Sequence, residues 1–155
     1  MNLDLKNESD INARGLSTFF LIEKHQKWVE EVYLRLPKKI RKLIERKYLI
    51  VNYAPNYFSD QTEAAYFIIP NLIEFNKRYF SFLMNKEFFV GVFVHELGHF
   101  CAHNLNPLFR YFYLQKYKKF SNYDQKEMLA NFLACKMGFE KEIDFVQETL
   151  SYKLT

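Results

Sequence analysis

Apolar and polar positions alternate along this chain with two different periods. Apolar residues three and four positions apart predict helices, and short apolar runs bounded by turn residues predict strands. The predicted helices span residues 17–35, 38–46, 87–104, 108–119, 122–137 and 140–152, and the predicted strands span residues 48–53, 64–69 and 72–75. This order predicts an α+β fold in which a small β-sheet packs on the helix at 87–104 and the C-terminal half is helical.

Length and composition predict one domain. The chain has 155 residues, of which 49% are hydrophobic, and this is enough to bury a core without disulfides. Residues 1–16 are polar apart from scattered Leu and Ile and are predicted to form a flexible arm. Residues 17–155 are then a single domain, with Ser17 as the cap of its first helix. His25 lies beside lysines and is predicted to be a surface residue.

The pattern predicts a cytoplasmic protein with no membrane segment. The most apolar run, residues 88–94, is far shorter than a membrane span, and the first residues lack the layout of a signal peptide. Cys101 and Cys135 have no CxxC spacing, which predicts free thiols of a reducing compartment.

The charge is mildly basic, formally +4, with a cluster of Lys and Arg at residues 38–47. Such a cluster could bind nucleic acid or an acidic partner. We favour the solvated face of an amphipathic helix packed through Ile40, Leu43 and Ile44. Nucleic acid is therefore not an expected partner, and binding of another partner to residues 38–47 stays open.

The sequence His95-Glu96-Leu97-Gly98-His99 carries the chemistry. Residues four apart lie on the same face of a helix, so His95 and His99 can bind one zinc ion while Glu96 projects beside it. This is the HExxH pattern of zinc hydrolases, in which two imidazoles bind the metal and a carboxylate takes a proton from the zinc-bound water. Glu96 is accordingly the predicted catalytic base.

A catalytic zinc usually takes a third protein ligand, and Glu127 on the helix at 122–137 is the candidate. Ala130 and Ala134 on this helix would allow a close approach to the zinc helix. Asn131, one turn beyond Glu127, could accept a hydrogen bond from the outer nitrogen of a ligand histidine. Taken alone, Glu127 would be a solvated first-turn residue; its position after HELGH favours the ligand interpretation.

HELGH together with Glu127-Met-Leu-Ala-Asn131-Phe-Leu-Ala134 resembles the HExxH and ExxANxxA signatures of the ImmA/IrrE family of zinc metallopeptidases. The resemblance covers about residues 72–138 and implies a zincin-like minimal fold of gluzincin type. It also implies His95, His99 and Glu127 as zinc ligands, Glu96 as base and a repressor as substrate. The chain departs from the family after the second motif, where residues 136–139 replace the usual Leu-Met-Pro stretch.

Several assignments stay open at this stage. His103 is either a cleft residue near the metal or substrate, or a surface residue at the helix end. Any of Tyr111, Tyr113, Tyr117 and Tyr123 could stabilise the oxyanion. The leading hypothesis is a zinc metallopeptidase acting on a specific protein or peptide. The alternatives are a toxin-like or phage-encoded minimal gluzincin and a non-enzymatic zinc-stabilised regulatory or binding module. The sequence does not indicate an oligomeric state.

Overall fold

The part of the chain that the structure describes combines a four-stranded mixed sheet with seven α-helices, an α+β architecture as predicted. The computed structural model describes residues 15–18, 21–54, 63–68 and 70–151. The strands are β1 (Leu16–Thr18), β2 (Leu49–Tyr53), β3 (Ala64–Phe67) and β4 (Leu72–Phe75). The helices are α1 (Glu23–Arg35), α2 (Lys38–Lys47), α3 (Phe80–Leu83), α4 (Lys86–His103), α5 (Pro107–Lys116), α6 (Asn122–Lys136) and α7 (Glu140–Ser151).

The sheet has the strand order β1-β2-β4-β3. The first three of these strands are parallel, and β3 pairs antiparallel with β4. Strand β2 alternates in burial along its length, with Leu49, Val51 and Tyr53 facing the core, as expected for a strand with one face covered. Strands β1 and β3 are the two edges of the described sheet, and the β3 edge runs beside α4.

Helix α4 is the centre of the fold. Asn85 caps its first turn by accepting a hydrogen bond from the N–H of Phe88 at 2.9 Å. The helix is apolar on nearly every side, which predicts burial on every side, and it contacts α1, α3, α6, α7, β3 and β4. Gly91 permits the close approach of α7, because a Cβ atom there would lie 2.4 Å from the carbonyl oxygen of Glu142.

The start of the domain differs from the sequence prediction. Ser17 does not cap a helix: it lies in β1, and α1 begins at Glu23 after an uncapped Ile22. Leu16, assigned from sequence to a flexible arm, is fully buried in the same strand. Residues 16–18 form backbone hydrogen bonds with β2, which is distant in sequence. Local strand or helix propensity does not predict such a long-range pairing. Residues 1–14 of the predicted arm lie outside the described residues.

The prediction that His25 is a surface residue is wrong. Its side chain is fully buried, and its ring stacks on Phe89 with centroids 4.3 Å apart. Nε2 donates to the carbonyl oxygen of Leu83 at 2.8 Å, and Nδ1 accepts from the hydroxyl of Tyr53. Burial disfavours the charged ring and lowers the pKa of His25. His25 therefore joins α1 to β2 and α3 as a neutral core residue.

Other sequence predictions are confirmed. Strand β4 has the predicted bounds, and β2, β3 and helices α4 to α7 lie close to theirs; Tyr152, at the predicted end of the last helix, lies outside the described residues. Helix α2 packs through Ile40, Leu43 and Ile44. Ser121 caps α6, and Gly138 ends it with φ +97°. Among the described residues, no helix combines the length and apolar character that crossing a bilayer requires.

Candidate metal centre

Three side chains from α4 and α6 converge on one point. His95 and His99 lie one turn apart on the face of α4 that meets α6, and Glu127 reaches them from α6. His95 Nε2 lies 3.0 Å from Glu127 Oε2, His99 Nε2 lies 3.2 Å from Glu127 Oε1, and the two Nε2 atoms are 3.2 Å apart. All three groups offer a ligand atom within 4.8 Å of one another.

The close approach of α4 and α6 depends on Gly98, the glycine of HELGH. A Cβ atom at this position would lie 2.2 Å from the carbonyl oxygen of Ala130, so any larger side chain would force the helices apart. Ala130 and Ala134 are fully buried, in agreement with the small-residue packing predicted from sequence. Glu127 lies one turn before Ala130 on α6, and this packing brings its carboxylate to the histidines.

Asn131 sets the orientation of His95. Its Oδ1 lies 2.7 Å from His95 Nδ1, so the contact predicted between Asn131 and a ligand histidine is present. An amide oxygen only accepts, and Nδ1 therefore carries the hydrogen. In the neutral ring this leaves the lone pair on Nε2, directed at His99 and Glu127.

The chemistry of these donors fits a metal ion. Two imidazole nitrogens and a carboxylate that face one another at these distances need a proton or a cation between them. When no metal is bound, a proton shared by these groups supplies the positive charge. Burial opposes charge on His95, but the hydrogen bond that its ring donates to the Glu127 carboxylate and the nearby Glu96 charge outweigh it and raise the pKa of His95 to about 9. Burial likewise opposes charge on Glu127, but both histidines lower its pKa to about 2. A divalent ion would replace that proton, and two nitrogens and one oxygen are a zinc-type ligand set.

Glu96 lies beside this group and is almost fully buried, with 6% of its surface exposed. Burial raises its pKa, while His95, His99 and the backbone N–H of Tyr66 on β3 favour its charged form. A carboxylate held in this way by the edge strand can accept a proton from a water molecule in the cleft.

These residues lie in a cleft of about 890 Å³. It is bounded by β3, the face of α4 that carries His95 and His99, and residues of α5, α6 and α7. His103 lines the cleft from an exposed position at the end of α4, which favours the cleft interpretation over a plain surface residue.

Of the four tyrosines considered for the oxyanion, Tyr123 alone is among the cleft-lining residues of the described chain. The Glu127 charge, followed by partial burial, raises its pKa, so its hydroxyl stays protonated and able to donate. Tyr113 and Tyr117 pack against each other, with ring centroids 4.9 Å apart, and Tyr111 packs edge-on against Phe112.

Three cleft features were not predicted from the sequence. Tyr66 contacts Glu96 through its backbone, which leaves no signal in residue type. Arg110 and Lys126 also line the cleft. Their position close to the two ligand segments in sequence was the available signal, but surface cations are common there and the pattern did not single them out.

The chain was compared with known protein families, curated proteins and solved structures. No family model, curated protein or solved structure matches the chain.

Proposed function

We propose that this protein is a zinc metallopeptidase that hydrolyses a peptide bond in a specific protein substrate. The observation that carries the proposal is the convergence of His95, His99 and Glu127 within ligand distance of one another, beside a buried Glu96, in an open cleft. A structural zinc site would be closed by a fourth protein ligand, whereas a catalytic site keeps one position for water or substrate.

In this proposal each residue has a defined task. His95, His99 and Glu127 would hold the metal, and Asn131 keeps His95 in the tautomer that can bind it. When bound, zinc supplies Lewis-acid activation of water and of the scissile carbonyl. Glu96 takes the proton of the attacking water and delivers it to the leaving amine. Tyr123 donates a hydrogen bond to the developing oxyanion.

We extend the proposal to the zincin-like type of fold, with a repressor or other regulator as substrate, because HELGH and the Glu127–Ala134 motif resemble the ImmA/IrrE signatures. The edge strand β3, next to the metal ligands, supports this, since an extended peptide can pair with such an edge. A cytoplasmic location stays a prediction; two free thiols, Cys101 and Cys135, agree with it.

The test is Glu96→Gln in the zinc-loaded protein, assayed on a proteome-derived peptide library by mass spectrometry. We expect a fall in kcat/KM of roughly 10²–10⁴-fold with unchanged zinc content. Glu87→Gln, an exposed residue in the first turn of α4, is the matched control and should retain full activity.

Two outcomes would contradict the proposal. Activity that survives Glu96→Gln would exclude the proposed base. A zinc-loaded wild type that cleaves nothing but binds a protein partner tightly would favour the alternative of a zinc-stabilised binding module.

A further inference from the structure

The two ends of the cleft differ in chemical character, and α4 provides the axis along which to compare them. Val92 lies about one turn before His95, and His103 lies one turn after His99, and both line the cleft. Helix α7 packs at the Val92 end, where Gly91 meets Glu142 and Val146. Helix α5 begins only four residues after α4 ends, so it lies at the His103 end.

The α7 end is apolar. Its lining residues are Val146, Gln147 and Leu150 on α7 and Val92 on α4. None of these residues carries a charge. A surface of this kind gains free energy when it covers an aliphatic side chain and loses it when it desolvates a charged one.

The α5 end is cationic. Arg110 of α5 lines it together with His103, and Lys126 lies beside the ligand Glu127 on α6. Neither Arg110 nor Lys126 forms an ion pair with an acid among the residues that the structure describes. Residues 104–121 contain four Lys and Arg and no Asp or Glu, and the acids that line the cleft, Glu63, Glu96 and Glu127, lie outside α5. The α5 wall of the cleft therefore carries a net positive charge.

We propose that the cleft selects a substrate segment with an acidic residue on the α5 side of the scissile bond and an aliphatic residue on the α7 side. This inference rests on the proposed peptidase function and adds to it the substrate class. A helix rises about 6 Å over four residues and a strand about 3.3 Å per residue. An extended substrate residue beside His103 therefore lies about two residues from one beside His99.

The experiment uses the zinc-loaded full chain and a randomised peptide library read by mass spectrometry, which reports both the cleaved bond and its flanking residues. We expect Asp and Glu to be enriched on one side of the bond and Leu, Ile and Val on the other. In Arg110→Glu, the kcat/KM of an acidic peptide chosen from the library should fall about fivefold or more relative to its Lys-substituted counterpart.

Lys118→Glu is the matched control, because it makes the same change in net charge near α5 at a residue that does not line the cleft. It should leave the preference unchanged, and zinc content should equal that of the wild type in both variants. Cleavage without a charge preference, or a preference that Arg110→Glu does not alter, would overturn this inference and leave the peptidase function standing. Absence of any cleavage by the zinc-loaded wild type would overturn the peptidase function and this inference with it.

Discussion

His25 lies in the core and His95 lines the cleft with 20% of its side chain exposed, and their ring nitrogens are used in opposite ways. Both nitrogens of His25 are engaged by core groups, the carbonyl of Leu83 and the hydroxyl of Tyr53. His95 has one nitrogen on Asn131 and directs the other at His99 and Glu127. Accordingly, the pKa of His25 is lowered by burial, whereas that of His95 is raised to about 9.

The comparison indicates which feature separates a structural histidine from the proposed metal ligand. Burial alone does not explain the difference, because it acts to lower the pKa of both rings. The separating feature is a nitrogen lone pair that meets other electron-rich atoms instead of a protein donor. Such an arrangement is stable only with a positive charge between these atoms. A proton supplies it when no metal is bound, and a metal ion would supply it otherwise.

The largest effect should come from His25, and it should be on stability alone. His25→Ala removes a buried ring and leaves the Leu83 carbonyl and the Tyr53 hydroxyl without their partner, so the free energy of unfolding should fall by about 3–5 kcal/mol. His25→Phe restores the packing on Phe89 and should recover part of the loss. Urea denaturation measures both. Loss of zinc from folded His25→Phe would contradict the assignment of this histidine to the core.

A smaller effect is expected at Asn131, and it should be on metal affinity. Asn131→Ala removes the hydrogen bond that orients His95, so zinc affinity should fall about 10–100-fold. Competition with a chromogenic chelator measures this change. Asn131→Asp keeps an acceptor oxygen and should retain most of the affinity; if it weakens binding as much as Asn131→Ala, the amide acts by something other than this bond.

The smallest effect is a difference in how the two histidines respond to pH in the metal-free protein. The pKa of His25 in the folded protein lies below its ordinary 6.5. The contribution of His25 to the free energy of unfolding is therefore complete above pH 6.5, and it is lost as pH falls through the folded pKa. The pKa of His95 in the folded protein is raised to about 9. Its contribution to the free energy of unfolding is therefore complete below pH 6.5 and is lost as pH rises through about 9. Each slope is on the order of 1 kcal/mol per pH unit.

The measurement is the free energy of unfolding of metal-free wild type, His25→Phe and His95→Gln against pH. His25→Phe should reduce the slope just below pH 6.5, and His95→Gln should reduce the slope above neutral pH. The lowered pKa of Glu127, about 2, adds a further loss at more acidic pH that remains in His25→Phe. Burial also raises the pKa of Glu96, which adds to the loss with rising pH and remains in both variants. An unaltered acid-side slope in His25→Phe would show that His25 is not held neutral.

Much of the candidate site could be predicted from sequence because its parts are local. Spacing on α4 joins His95 to His99, and spacing on α6 joins Glu127 to Asn131. The small residues Ala130 and Ala134 indicated that α6 could approach α4 closely, whereas the part that Gly98 plays in this contact was not predicted. The cleft wall could not be predicted in the same way, because Tyr66 acts through its backbone.

The errors in the fold arise from long-range contacts. The three residues of β1 are too few to show a period, and their pairing partner in β2 is distant in sequence. For His25 a signal was present: it lies three, four and seven residues before Trp28, Val29 and Val32, on the buried stripe of α1. The prediction gave too much weight to the neighbouring lysines, which a helix places on other faces than His25.

The central claim is that His95, His99 and Glu127 form a three-ligand zinc site, and elemental analysis of the purified protein tests it most directly. We expect about one zinc per wild-type chain, the same content in His25→Phe, and little or none in His99→Ala and Glu127→Ala. A metal-free wild type, or a Glu127→Ala variant that retains its full zinc, would contradict the claim.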